Sequence, residues 1–241
     1  IGSIIGYLIM DIAGLGWQVM VASLFIPLVV YGYLIIGQTF PLTERVEMGI
    51  STKAALKSLL TPLYLFIAVC MLLSATTELG TTQRIESLLR ETGVNALLVL
   101  AFINGLMMIG RYFAGPISKK ISTTGMLWFS ALFSFIGLQL LANASGMFVF
   151  IAAGVFAIGI TFFWPTTLAF ISENIPESGA FGLSIMGGLG NLSVSIVLPV
   201  MGRFLDNSNG VQVIQTMSLL PAILFVFYGA LYFYRKNYNQ N

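Results

Sequence analysis

The feature that most constrains this chain is a series of apolar runs near spanning length, separated by short polar breaks. About 20 apolar residues in a helix cross a hydrocarbon core of ~30 Å. Seven such runs can be read: Trp17–Ile36, Ser58–Gly80, Asn95–Gly115, Gly125–Leu141, Met147–Ile171, Gly179–Met201 and Val213–Tyr234. Barrel strands are half as long and alternate in polarity, whereas these runs are apolar on every face. Helices also satisfy their own backbone polar groups, as a lipid environment demands.

Composition agrees. Of 241 residues, 57% are hydrophobic and only 8% are charged. A soluble domain carries about 25% charged residues, so this chain cannot cover a water-facing surface. The expectation is an all-α membrane protein, a transmembrane helix bundle. Residues 1–36 read as the tail of one transmembrane helix followed by a complete one, 37–57 as a cytoplasmic central loop, and 58–241 as six helices. Ile1–Met10 lacks a positive n-region and a cleavage site, so it is a poor signal peptide and is expected to end a helix begun upstream.

Several chemistries are disfavoured. The net charge of +2, with no basic stripe, points away from nucleic acid. Cys70 has no second cysteine to bridge, and histidine, the commonest metal ligand and general base, is absent. No metal or cofactor is called for. A membrane-embedded enzyme would need acids, His or Cys clustered at one depth, and Glu78 is the only acid well inside the runs.

The Lys/Arg balance sets orientation. One set of connections holds Arg45, Lys53, Lys57, Arg111, Lys119, Lys120, Arg235 and Lys236; the alternate set holds Arg84, Arg90 and Arg203. The richer set is expected in the cytoplasm, which places the C-terminus inside.

Four residues resist a purely structural reading. Glu78 lies near the outer end of the second run, with Ser74 one turn earlier on the same face. An acid there either faces a cavity or partner or has reached the headgroups. Asn104 and Asn191 lie mid-run, as interhelical links or as ligand contacts. Trp164 sits in Thr161-Phe162-Phe163-Trp164-Pro165, away from its usual interfacial belt, and is either an aromatic wall for a solute or core. Pro165 removes a backbone donor and should kink or loosen the helix there. In the sixth run, Ala180, Ser184 and Gly188 and then Gly187, Asn191 and Ser195 recur at i, i+4, i+8, which reads first as close helix packing. Arg111 is expected about one turn inside the inner end of the third run. It is either a snorkelling anchor or a planar, bidentate contact to a carboxylate on a neighbouring helix.

Gly110-Arg111-x-x-Ala114-Gly115-Pro116, followed by Lys119-Lys120, resembles the second-half copy of the conserved cytoplasmic loop of the major facilitator superfamily. The resemblance implies that the chain runs from the end of helix five to helix twelve of a twelve-helix fold: the C-terminal half plus helix six. The N-terminal half would then be a partner, with Gly110, Arg111, Gly115 and Pro116 forming the loop motif. Ala75–Gly80 and Phe163–Pro165 resemble stretches of bacterial members near the sugar permeases, which implies a bacterial cytoplasmic membrane. The family's cavity-facing helices would carry Glu78, Asn104, Trp164 and Asn191. The expected function is secondary-active transport of a small polar, sugar-like solute by alternating access. Glu78 would carry a coupling proton, and Asn104, Trp164 and Asn191 would contact solute. An uncoupled facilitator or drug exporter is the alternative, and a non-transporting membrane interaction protein the different class.

Overall fold

The computed structural model describes residues 5, 8–40, 49, 51–89, 92–118 and 120–238. Every element among them is helical. Six helices are long and apolar enough to cross a membrane: α1 (Trp17–Ile35), α2 (Pro62–Gln83), α4 (Thr123–Ala142), α5 (Phe148–Asn174), α6 (Pro176–Asn207) and α7 (Gly210–Lys236). Between α2 and α4 lies the shorter apolar helix α3 (Ala96–Tyr112). The architecture is that of a multi-pass membrane protein, with helices close to the seven expected runs.

The chain divides into two units, Ile1–Leu42 and Thr43–Asn241. The first contains α1, in which no residue is buried and which is interrupted by a turn at Ser23–Leu24. Residues 41–48 and 50 of the expected central loop, including Arg45, lie outside the described residues, as do Arg90, Glu91 and Lys119. Further along that loop, Thr52–Ser58 is helical, with the Ser51 hydroxyl accepting from the Ala54 N–H.

Within the second unit, polar residues just before the apolar runs start the helices. Thr61 accepts from the Tyr64 N–H, with Pro62 at the first helical position where its missing donor costs nothing. Asn95 caps α3 through the Leu97 and Leu98 N–H groups, and Ser122 caps α4 through Gly125. The third run ends earlier than its apolar length suggests. The helix breaks at Phe113, and Gly115 and Pro116 lie in the following short helix, Ala114–Ser118.

α2 is the hub: it packs on the second half of α5, on α6 and on α7. α4 packs between α7 and the first half of α5, and α3 packs on that same first half. The bundle's core is largely apolar but admits polar residues, and large apolar side chains also cover its outside, as a lipid-facing surface requires. Ser74, Thr77, Glu78, Ser134, Thr167 and Ser218 are buried, while Val69, Ile151, Ile158, Val226 and Phe233 are exposed. Interior polar groups link helices: the Tyr64 hydroxyl donates to the Gly182 carbonyl at 2.7 Å, and Gln139 Nε2 donates to Ser218 Oγ at 2.8 Å. Such links are satisfied here and would be unsatisfied in lipid.

The tightest helix contact is not where the small-residue stripes pointed. A Cβ on Gly137 would land on the backbone of Phe156, and one on Gly159 on the backbone of Ser134. The two pairs share one antiparallel register between α4 and α5. By contrast, Gly187 and Gly188 of α6 have nothing within 4 Å of a Cβ, and Ser184, Asn191 and Ser195 are exposed. The packing reading of those stripes is therefore corrected. Their spacing marks one face of α6, and that face turns away from the bundle. The glycines of α6 that meet other helices are Gly182, against Tyr64, and Gly190, against Trp164 and Met71.

Candidate functional site

Two neighbouring helices lose their regularity at the same place. α2 passes through a π-helical turn, Thr76–Gly80, which carries Glu78. α5 is interrupted at Thr161–Phe162 before restarting at Phe163. The second break follows from the sequence. In a continuous helix the Thr161 carbonyl would accept from the N–H of residue 165, but Pro165 has none. The orphaned carbonyl accepts instead from Arg111 Nε, at 3.1 Å.

The same guanidinium reaches α2. Arg111 Nη2 donates to Glu78 Oε1 at 2.9 Å, the one ion pair among the described residues. The Glu78 side chain is 5% exposed and that of Arg111 is 41% exposed. Glu78 Oε2 is buried with no hydrogen-bond partner among the described residues. Arg111 thus spans α2 and α5 from the end of α3, using its planar fork on two acceptors in different helices. An ammonium would offer one point charge to both. Gly110 allows the approach, since a Cβ there would lie 2.7 Å from Thr161 Cγ2.

Glu78 near the end of α2 and Arg111 in the last turn of α3 keep their expected places on their own helices, but the offset between the helices differs from that read in the sequence. Glu78 and Arg111 were expected at opposite ends of their spans, yet they touch. Arg111 lies beside Thr161, near the middle of α5. It is not a free snorkelling anchor, and Glu78 is not solvated among headgroups. The offset arises because run length says nothing of how far one helix is displaced along its neighbour. α3 has only 17 residues, a length of ~25 Å, and is joined to α2 through the short helix Ile85–Leu88.

Ser74, placed by spacing on the face of Glu78, does not meet it. Its hydroxyl donates to the Met71 carbonyl at 3.2 Å, not to Glu78. Four residues make a full turn only in a regular helix, and the π turn between the two rotates Glu78 off that face. Ser74 instead faces the buried Tyr228 hydroxyl of α7, along with Cys70 and Thr167. This cluster was not recognised in the sequence, because three of its members are the kind of residue that fills any membrane-helix core.

The remaining candidates do not join the pair directly. Asn104 is exposed on α3, seven residues and so nearly two turns before Arg111, on the same face. Asn191 is exposed on α6 and donates to the Gly187 carbonyl at 3.0 Å within its own helix. Trp164 is half-buried and wedged between helices: a Cβ on Gly190 would lie 2.5 Å from its Cη2 and 3.1 Å from Met71 Cε. Its ring edge is core, which favours the packing reading over a wall fully open to solute. Gly115 and Pro116 are exposed, with nothing within 4 Å of a Cβ on Gly115.

Compared with family models, curated proteins and solved structures, the chain matches none. The functional reading therefore rests on this geometry.

Proposed function

We propose that the chain is the C-terminal half, with one preceding helix, of a major facilitator-like secondary transporter for a small polar solute, coupled to protons through Glu78. The observation that carries this reading is the Glu78–Arg111 pair within the bundle, with one carboxylate oxygen on the guanidinium and the other unpartnered among the described residues. Charges inside membrane helices are costly, by about 3 kcal/mol at a helix centre, and those present usually serve transport or coupling. Paired sites at broken helices near mid-span recur in transporters.

The mechanism follows from the bonds. Ionised Glu78 holds Arg111 and so ties the end of α3 to α2. Protonation removes the charge that holds the guanidinium, leaving Arg111 on the Thr161 carbonyl alone. Proton uptake thereby loosens α3 from α2 while keeping it on α5. Such a change alters one wall of a cavity.

A second support is the polarity of the outward faces. Asn104 on α3, and Ser184, Asn191 and Ser195 on α6, turn away from the unit's own core within apolar helices. Polar groups so placed call for a water-filled cavity or another protein surface. A complementary N-terminal half supplies both in this reading, and a sugar-like solute would meet Asn104, Asn191 and the open edge of Trp164.

The test is Glu78→Gln in proteoliposomes holding the chain with a complementary half. Gradient-driven accumulation of labelled solute should vanish, while exchange down the solute's own gradient survives. Loss of both would make Glu78 a solute contact, and persistence of both would remove it from the mechanism.

A further inference from the structure

A second site lies at the opposite end of the bundle from Lys57, Lys120 and Arg235. There the end of α2 meets the α4–α5 connection and the α6–α7 turn around a cavity of about 450 Å³. That volume suits a small ligand. Its walls are held by backbone contacts. The Gly146 N–H donates to the Thr92 carbonyl at 3.2 Å, and Gly210 sits so close to the Leu88 carbonyl that a Cβ would strike it. A cavity framed this way is formed before any ligand arrives.

The lining has an uncommon division of labour. Arg84 and Asp206 both face the cavity but form no ion pair with each other. Among the described residues Arg84 has no acidic partner and spends a single long bond, 3.4 Å, on the Leu198 carbonyl. Asp206 has no basic partner there either, not even Arg203 one turn earlier. Leu88, Leu205 and Val211 supply an apolar wall, and no aromatic ring lines the space. A sugar ring would find nothing to stack on. A molecule with a carboxylate for the guanidinium, an ammonium for the aspartate and a short aliphatic arm would use every part of it.

We infer that this cavity binds a small aliphatic zwitterion of the α-amino-acid kind, at a site separate from Glu78 and Arg111. On the orientation read from Lys and Arg, it opens on the outer face. The headgroup of phosphatidylethanolamine carries the same pair of charges, so the source must be distinguished; the apolar wall favours the free amino acid.

The probe is radiolabelled L-leucine, measured by equilibrium dialysis against the purified chain in detergent. Saturable binding is expected. N-acetyl-L-leucine lacks the ammonium and L-leucinamide lacks the carboxylate, and each should compete at least ~10-fold more weakly, the cost of one charge-assisted contact. Arg84→Gln and Asp206→Asn should each weaken binding by a similar factor. The blocked analogues test the wild-type protein, so the result stands even where a variant folds poorly. No saturable binding up to about 10 mM, or equal competition by the blocked analogues, would overturn the inference. Displacement of bound leucine by glycerophosphoethanolamine at concentrations well below those at which unlabelled leucine competes would overturn the free amino acid as ligand and assign the site to a lipid headgroup.

Discussion

The α4 side of the bundle and the α2–α3–α5 site solve the same problem by opposite means. On the α4 side, helices meet through shape. Gly137 and Gly159 let α4 and α5 touch backbone to backbone, and Trp128 stacks on Phe225 and Tyr232 of α7, with ring centroids 5.3 and 5.4 Å apart. At the site, helices meet through charge and freed backbone: a π turn, a proline break and an arginine bridging both. Dispersion contacts tolerate no change of volume but are indifferent to protonation. The polar bridge instead depends on the charge of one carboxylate. In the proposed function the first kind of contact serves as scaffold and the second as switch.

The comparison breaks most sharply at Gly137. A leucine there has only the Phe156 backbone to displace, so Gly137→Leu should cost about 3 kcal/mol or more, the upper range of overpacking. The readout is loss of the monodisperse peak in detergent and a collapsed melting temperature. An unchanged melt would mean that α4 and α5 do not cross as described.

Pro165→Ala sharpens the contrast from the other side. The restored N–H competes with Arg111 for the Thr161 carbonyl and lets α5 run through. Thermal stability should rise by about 0.5–1 kcal/mol; under the proposed transport function solute uptake should fall, the usual exchange of activity for stability at a strained site. A variant that is both less stable and fully active would separate Pro165 from the bridge.

The smallest effects distinguish the two faces of α6. Gly190→Ala pushes on Trp164 and should cost about 1 kcal/mol and shift tryptophan fluorescence. Gly188→Ala, two residues away with open space around it, should stay within ~0.5 kcal/mol of wild type. Equal costs at both positions would contradict the assigned faces.

How much of this was legible in the sequence varies with the kind of information required. The spans were, because apolar length is a local property. So was the loosening at Pro165, because a missing N–H is local too. The rotation at Thr76–Gly80 was not, since nothing in Thr-Thr-Glu-Leu-Gly distinguishes a π turn from an α turn. The small-residue stripes of α6 misled because spacing shows that residues share a face, not what the face meets. The Glu78–Arg111 contact lay beyond reach for a related reason. Both residues stood out singly, but their meeting depends on the axial offset of α2 and α3, which is set by packing on α5. The proposed transport function remains tied to that contact.

The contact itself is tested by a double-mutant cycle on melting temperature, using Glu78→Gln, Arg111→Gln and both together. Arg111→Gln alone leaves a buried carboxylate without its partner. It should cost about 1–2 kcal/mol, less than the 3–5 of a fully buried pair because Arg111 is partly exposed. In the double variant the carboxylate is gone, so part of that loss should return and the coupling should be about 1 kcal/mol. Strict additivity of the two single changes would mean that Glu78 and Arg111 do not interact, and the account of the site would fail with it.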